Sequence, residues 1–189
     1  MISDWQASIA TADAADWITV AAYLIAALAS VQASKQAWLR REPRDHIFWR
    51  VTAGLLIFFA VNELLDLQTL FTAIGRQHAI QHGWYGEHRQ VQYQFIIGLS
   101  AAAVIIGTVA LWLIRHTHVA VRVALFGLGL IGLFVVFRAA SFYHFDDFLG
   151  RGNSAFNWGS IQEMLGIFIV ATSATMYIYA NRRKNKQIN

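Results

Sequence analysis

The chain has 189 residues, of which 57% are hydrophobic and only 14% are charged, and it contains no cysteine. Because a soluble domain carries about a quarter charged residues, this composition predicts a membrane protein. The missing cysteines exclude disulfide frameworks, thiolate catalysis and iron–sulfur clusters. The net charge of +4 would suit nucleic acid, but the basic residues form no face of the kind that binds it, so we expect no nucleic-acid partner.

Five apolar segments approach the roughly 20 residues that a helix needs to cross the hydrocarbon core. They are predicted over 17–33, 47–67, 92–114, 119–145 and 158–180. The acidic stretch before the first segment lacks the positive charge with which a signal peptide begins, so this segment is predicted to be a retained anchor. The predicted fold class is therefore all-α, with one polytopic membrane domain over residues 1–180 and a basic tail over 181–189.

The charged residues divide unevenly between the two sides that these five spans would define. Most of the 15 Lys and Arg fall on one side, whereas only Glu42 and Asp45 among the 11 acidic residues fall there. Because basic loops stay in the cytoplasm, this pattern predicts that the N-terminus lies outside and the C-terminus inside. The basic tail is then a solvated cytoplasmic segment that favours anionic lipid.

The connections on the two sides differ in their predicted chemistry. The inner ones are short and chemically plain: a basic loop over 34–46 and a tight turn over 115–118. Between the second and third spans, Asp66, Thr69 and Arg76 share one helical face and an apolar stripe occupies another, which predicts an amphipathic outer helix over about 66–81. We expect this segment to cover the outer mouth of the bundle.

Small and aromatic residues predict how the spans pack. Glycines in the fourth and fifth spans would let neighbouring helices approach closely. These glycines are Gly127, Gly129, Gly132, Gly159 and Gly166. The seven Trp and 13 Phe are interpreted mostly as residues that face lipid or the membrane interface.

Ionisable and polar side chains lie together at the outer ends of the second, fourth and fifth predicted spans. This set comprises Glu63, Asp66, Arg138, Ser141, His144, Asp147 and Glu163. A charge at membrane depth costs roughly 2.5–3.5 kcal/mol on insertion scales and is tolerated where it faces protein or water. The set therefore predicts a shared polar pocket that is open to the outside, with Arg76 as its lid.

The residue types in this pocket predict acid–base, anion-binding or metal chemistry. The candidate catalytic residues are His144, Glu163, Asp66 and Glu63. The candidate ligand-binding residues are Arg138, Arg76 and Ser141. A hard, oxygen-rich site for Mg, Mn, Ca or Fe would use Glu63, Asp66, His144, Asp147 and Glu163.

Several functions are compatible with this pocket. It predicts metal- or His-assisted hydrolysis or transfer on a lipid-like substrate that enters laterally, and the alternative is a non-enzymatic membrane subunit, in which the same residues are structural ion pairs. Such a subunit would anchor or hold a cofactor for a membrane-protein partner. Haem b would need His144 with His88, and a quinone would use His144 with Arg138. His78 and His82 have metal-chelating spacing but are interpreted as surface residues.

Two resemblances accompany these patterns. The run Leu-Asp-Leu-Gln-Thr over 65–69, the pair at 75–76, the Gly-Trp-Tyr over 83–85 and the later run over 138–146 resemble a family of small bacterial inner-membrane proteins. That resemblance implies a bacterial inner-membrane location and no particular activity. Ser141, His144 and Asp147 are also similar to the ceramidase-like superfamily of membrane hydrolases, which implies metal-dependent hydrolysis. This chain differs from that superfamily in its five predicted spans and in lacking a histidine pair on the last one.

Overall fold

Four long helices make up the part of the chain that the structure, a computed structural model, describes: residues 14–65, 117–141 and 158–186, with isolated residues between 97 and 108. The helices are α1 (Ala14–Leu39), α2 (Pro43–Leu65), α3 (Val119–Ser141) and α4 (Trp158–Lys186). They correspond to the first, second, fourth and fifth predicted spans. Most of the third span and the whole amphipathic segment over 66–81 lie outside the described residues.

Each of these helices contains a stretch that is long and apolar enough to cross a membrane. Only 22% to 39% of each stretch is buried inside the bundle, and large apolar side chains such as Ile25, Phe126 and Phe168 point outward. A water-soluble protein rarely exposes an apolar surface of this extent. The chain is therefore a multi-pass membrane protein whose helices contact lipid.

The helices pair in two antiparallel hairpins, α1 with α2 and α3 with α4, and the hairpins meet through α1 and α4. Tyr23 near the start of α1 contacts Glu163 near the start of α4, and Glu42 directly after α1 contacts Tyr177 near the end of α4. Helices α1 and α4 are therefore parallel neighbours. We call the end at which both begin the Tyr23 end, and the opposite end the Tyr177 end.

The predicted basic loop over 34–46 is wrong, because α1 continues to Leu39 and α2 begins at Pro43. Only three residues connect the helices. The Arg41 N–H donates to the Trp38 carbonyl and the Glu42 N–H donates to the Ala37 carbonyl, both at 3.0 Å, which is the Schellman pattern that ends a helix. Proline suits the first position of α2 because that position needs no N–H partner within the helix.

Arg41 occupies the left-handed position of this turn, with a φ of 58°. A side chain costs roughly 1–2 kcal/mol in that conformation, whereas glycine adopts it freely. We therefore expect Arg41→Gly to raise the free energy of unfolding by up to about 1 kcal/mol, and Arg41→Val to lower it. Equilibrium unfolding in mixed micelles would measure the stability of both variants. Equal stabilities of the wild type and the two variants would show that the left-handed conformation of residue 41 is not strained.

Close contact between α3 and α4 depends on three of the five predicted glycines. A Cβ atom at Gly127 would lie 2.8 Å from the Gly166 carbonyl oxygen, and one at Gly166 would lie 2.8 Å from the Gly127 carbonyl oxygen. Gly159 lies against the Phe134 ring. Among the described residues, no atom lies within 4 Å of a Cβ atom built at Gly129 or Gly132, so close packing at these two positions stays a prediction.

Candidate functional site

A small cavity lies at the Tyr23 end of the bundle, and all four helices contribute to it. Its lining consists of Tyr23, Phe59, Asn62, Glu63, Phe134, Val135 and Glu163. The volume is about 10 Å³, which is about the space that one water molecule needs. Two carboxyl groups and one amide thus converge on a space of molecular-water size inside a membrane bundle.

Glu163 is the buried centre of this cavity. Its side chain is only 5% exposed, and its Oε1 accepts a hydrogen bond from the Tyr23 hydroxyl at 2.6 Å. Tyr23 is itself 1% exposed, and its ring packs against Phe59 with a centroid distance of 6.0 Å. A buried carboxylate is costly unless such bonds compensate it, so Tyr23 both stabilises Glu163 and fixes its direction.

Neighbouring contacts hold the first turns of α4 in place around Glu163. The side-chain amide of Gln162 donates to the Leu130 carbonyl at 3.1 Å, which ties α4 to α3 one residue before Glu163. Thr19 bonds its hydroxyl back to the Ala15 carbonyl and also reaches the Met164 sulfur at 4.0 Å. The position of Glu163 is therefore determined from α1 and α3 together.

The structure brings together two of the predicted site residues, Glu63 and Glu163, at one cavity. Arg138 and Ser141 lie in the last turn of α3, but their side chains are outside the described part. The remaining predicted residues lie outside the described residues: Asp66, Arg76, His144, Asp147 and the histidines at 78, 82 and 88. Among the described residues, no group of three His, Asp or Glu could hold a metal ion.

The chemistry that this arrangement offers is acid–base. The carboxyl group of Glu163 has a defined direction because the Tyr23 hydroxyl donates to it. Catalytic bases are commonly oriented by a neighbouring group in this way. Glu63 is half-buried on the facing helix α2 and lines the same cavity. Tyr23 was not predicted as a site residue, because a tyrosine within an apolar span is typical of packing. Its spacing of seven residues from Ser30, another buried polar residue on α1, is the only sequence signal for it.

A second polar cluster lies at the Tyr177 end, where the sequence predicted chemically plain connections. The Tyr177 hydroxyl donates to Oε2 of Glu42 at 2.6 Å. Asp45, which is 5% exposed, lies close to the same hydroxyl and to the backbone of His118. The end that the sequence predicts to be inner is therefore not chemically plain, and Glu42 and Asp45, the two acids that depart from the charge asymmetry, both lie there.

Buried polar groups surround this second cluster. Asn181 is 2% exposed and its carbonyl accepts a hydrogen bond from Arg40 at 2.6 Å, while its side chain lies beside the Tyr177 hydroxyl. The ring of Trp49 packs 5.6 Å from that of Tyr177. The buried atoms without a hydrogen-bond partner within the described ranges include Trp49 Nε1, Thr52 Oγ1 and Asn181 Nδ2.

Comparisons with known proteins provide no evidence on the function, so the geometry of the site is the evidence available. The predicted resemblances to a family of small bacterial inner-membrane proteins and to ceramidase-like hydrolases stay predictions. No protein-family model, curated protein or solved structure matches the chain.

Proposed function

We propose that the chain is a five-span protein of the bacterial inner membrane with its N-terminus outside. The distribution of Lys and Arg supports this orientation,. Helix α2 ends at the Tyr23 end and α3 begins at the Tyr177 end, so the chain between them has to return across the bundle. The predicted span over 92–114 would do this, and its described residues are helical, with Thr108 bonding to the Val104 carbonyl at 2.7 Å.

The proposed orientation has a direct test. A green fluorescent protein fused after Asn189 should fluoresce, because this reporter folds in the cytoplasm, and alkaline phosphatase fused there should be inactive. The same two reporters fused at the N-terminus should give the opposite result. A bright N-terminal fusion with a dark C-terminal fusion would invert the topology and place the Tyr23 end inside.

The function that the geometry supports best is an acid–base site at the Tyr23 end, facing the periplasm. We propose that Glu163 and Glu63 act there in hydrolysis or transfer on a lipid-like substrate. The observation that carries this proposal is the 2.6 Å hydrogen bond by which buried Tyr23 orients Glu163. In a cavity of about 10 Å³, a carboxylate with a fixed direction is placed to take a proton from a water molecule.

The other predicted residues would complete this site, Arg138 from the last turn of α3 and the rest from the part of the chain that the structure does not describe. His144 and Asp66 would supply a further acid or base, and Arg138 and Arg76 would bind an anionic group of the substrate. A divalent metal would add Asp147 to the ligands. Elemental analysis and absorption spectroscopy of protein purified in mild detergent would count bound metal and reveal haem b in one experiment.

The narrow cavity also favours a second candidate, a non-enzymatic membrane subunit. A cavity with room for about one water molecule does not hold a lipid-like substrate, so a substrate would have to bind beside it. In the subunit, Tyr23 and Glu163 would only fasten α1 to α4, and the surface toward lipid would bind a membrane-protein partner. The two candidates differ in what happens when the carboxylate is neutralised.

The test uses protein reconstituted in vesicles of phosphatidylethanolamine and phosphatidylglycerol, with mass spectrometry of the lipids. Wild-type protein should convert a lipid, and Glu163→Gln should lower the rate by about 10²-fold or more, the range of general acid–base catalysis. Tyr179→Phe is the control, since Tyr179 is 65% exposed on α4. Unchanged lipid composition in the wild type would favour the subunit.

The tyrosine–carboxylate bond has its own energetic signature. We expect Tyr23→Phe to lower the free energy of unfolding by about 1.5–3 kcal/mol, as for hydrogen bonds to charged groups. In a double-mutant cycle with Glu163→Gln, the two losses should be clearly less than additive, because both changes remove one bond. Additive losses, or no loss in either variant, would show that the bond does not contribute.

A further inference from the structure

A cavity of about 530 Å³ lies beside the turn between α1 and α2, at the Tyr177 end. Its lining within the described ranges consists of Trp38, Leu39, Arg41, Glu42 and Pro43. This volume falls in the range of small-molecule sites, roughly 300–1,000 Å³. Because the turn joins two helices that are long and apolar enough to cross the membrane, the cavity lies at the depth of the lipid headgroups.

Two side chains give this cavity an apolar wall on the side of the lipid. Trp38 is 68% exposed and Leu39 is 74% exposed, although both side chains are large and apolar. Tryptophan is enriched at membrane interfaces, because its ring is apolar and its N–H group is polar. The wall therefore suits the part of a lipid where the acyl chains meet the headgroup.

The charge that this cavity presents to its surroundings is positive. Arg41 lines it and is exposed. Further exposed cations lie on the neighbouring turns of the two helices: Lys35, Arg44 and Arg50. The acids of this segment face the bundle instead, since Glu42 accepts the hydrogen bond of Tyr177 and Asp45 is buried. Several Lys and Arg directly beside a membrane span are typical of a site for anionic lipid headgroups.

The backbone of Arg41 gives an independent indication of a ligand. Its φ of 58° is a conformation that glycine adopts without cost and other residues do not. Strained residues are found preferentially at ligand sites, where the side chain has a function. A guanidinium group donates two parallel hydrogen bonds to a phosphate group. An arginine at this position, in the lining of a cavity at headgroup depth, therefore indicates a phosphate ligand.

We propose that this cavity binds an anionic glycerophospholipid of the phosphatidylglycerol class, with its phosphate on Arg41 and an acyl chain against Trp38 and Leu39. Phosphatidylethanolamine has the same phosphate, but the exposed cations repel its ammonium group. Charge also disfavours two occupants made of protein, because the C-terminal tail is basic and a symmetric second copy would place one Arg41 against another. The site lies at the opposite end of the bundle from Glu163 and does not depend on the proposed acid–base function.

Native mass spectrometry of protein purified in mild detergent tests this site. High ionic strength screens diffuse attraction between lipid and the basic tail. Under this condition the wild type should bind phosphatidylglycerol more tightly than phosphatidylethanolamine. Arg41→Gly should weaken the binding of phosphatidylglycerol by about tenfold, the effect of losing one charged contact. This variant retains the fold, since glycine fits the left-handed position.

Arg50→Ala is the matched control for charge. It removes an exposed arginine from α2 that is not part of the cavity lining, so the affinity for phosphatidylglycerol should stay close to that of the wild type. Equal losses in Arg41→Gly and Arg50→Ala would show that diffuse charge attracts the lipid, and would overturn the proposal. Equal affinities of the wild type for the two lipids would overturn it as well.

The apolar wall has its own pair of variants. Trp38→Ala should weaken the binding of phosphatidylglycerol, whereas Trp17→Ala should not, because Trp17 is similarly exposed at 57% but lies near the Tyr23 end. Equal effects of the two variants would contradict a lipid held at this cavity. Glycerol phosphate that binds as tightly as the lipid would show that the ligand is a soluble anion. A protein dimer that Trp38→Ala dissociates would place a second copy there, and either result would overturn the proposal.

Discussion

We expect Trp49→Ala to cause the largest loss of stability of any single change considered, about 3–5 kcal/mol, the range for truncating a buried tryptophan. Trp49 is completely buried at the Tyr177 end. Its ring packs against Phe48 at 5.2 Å and Tyr177 at 5.6 Å. Removal of the ring leaves a void between α2 and α4 at the Tyr177 end. Equilibrium unfolding in mixed micelles would measure the loss.

Trp38→Ala is the matched control. Trp38 also lies near the Tyr177 end and contacts His46 with a ring distance of 5.1 Å, but it is 68% exposed. Its truncation removes surface that faces lipid, so the free energy of unfolding should change by less than about 1 kcal/mol. Equal losses for the two variants would contradict the placement of Trp49 inside the bundle.

The second large effect concerns the contact between α3 and α4. We expect Gly166→Ala to lower the free energy of unfolding by about 1–3 kcal/mol, the usual cost of overpacking. The new methyl group would lie 2.8 Å from the Gly127 carbonyl oxygen and 2.8 Å from the Ile131 side chain. The carbonyl belongs to a helix backbone and cannot turn away, so the helices have to separate. Gly127→Ala should have the same effect for the reciprocal reason.

Gly129→Ala and Gly132→Ala are the controls on the same helix. No described atom lies within 4 Å of a Cβ atom at either position, and alanine favours a helix over glycine by up to about 1 kcal/mol. Both variants should therefore be as stable as the wild type or more so. If all four variants lost stability equally, helix flexibility would be the cause rather than contact between α3 and α4.

Hydropathy alone predicts all four of the long helices that the structure describes, because a membrane span requires a long apolar run whatever its neighbours are. The ends were less predictable. The basic residues around Arg41 suggest a loop by composition, yet a Schellman turn needs only three residues, and the backbone hydrogen bonds that form it leave little trace in composition. The glycine pattern likewise could not show which face of α3 meets α4, since Gly127, Gly129 and Gly132 are equally suitable by type.

The two polar clusters were predictable to different degrees. Glu63 and Glu163 attracted notice because an acid within an apolar span is costly, and both line the observed cavity. Tyr23 and Tyr177 are not predictable as site residues because tyrosine is common in apolar spans, and only the fold shows that each bonds to a glutamate. Glu42 and Asp45 stood out as the only acids on the basic side, and that exception was the available signal for the second cluster.

Two hydrogen bonds hold α4 in place: Tyr23 of α1 bonds to Glu163, and Glu42 in the turn after α1 bonds to Tyr177. The two bonds are separated by 14 positions on α4, or about 21 Å along its axis. A movement of α4 along α1 would break both bonds at once, so the two bonds together fix the position of α4 along the axis of α1. Helices α2 and α3 touch each other much less than they touch α1 and α4, so the α1–α4 contact is what holds the two hairpins together.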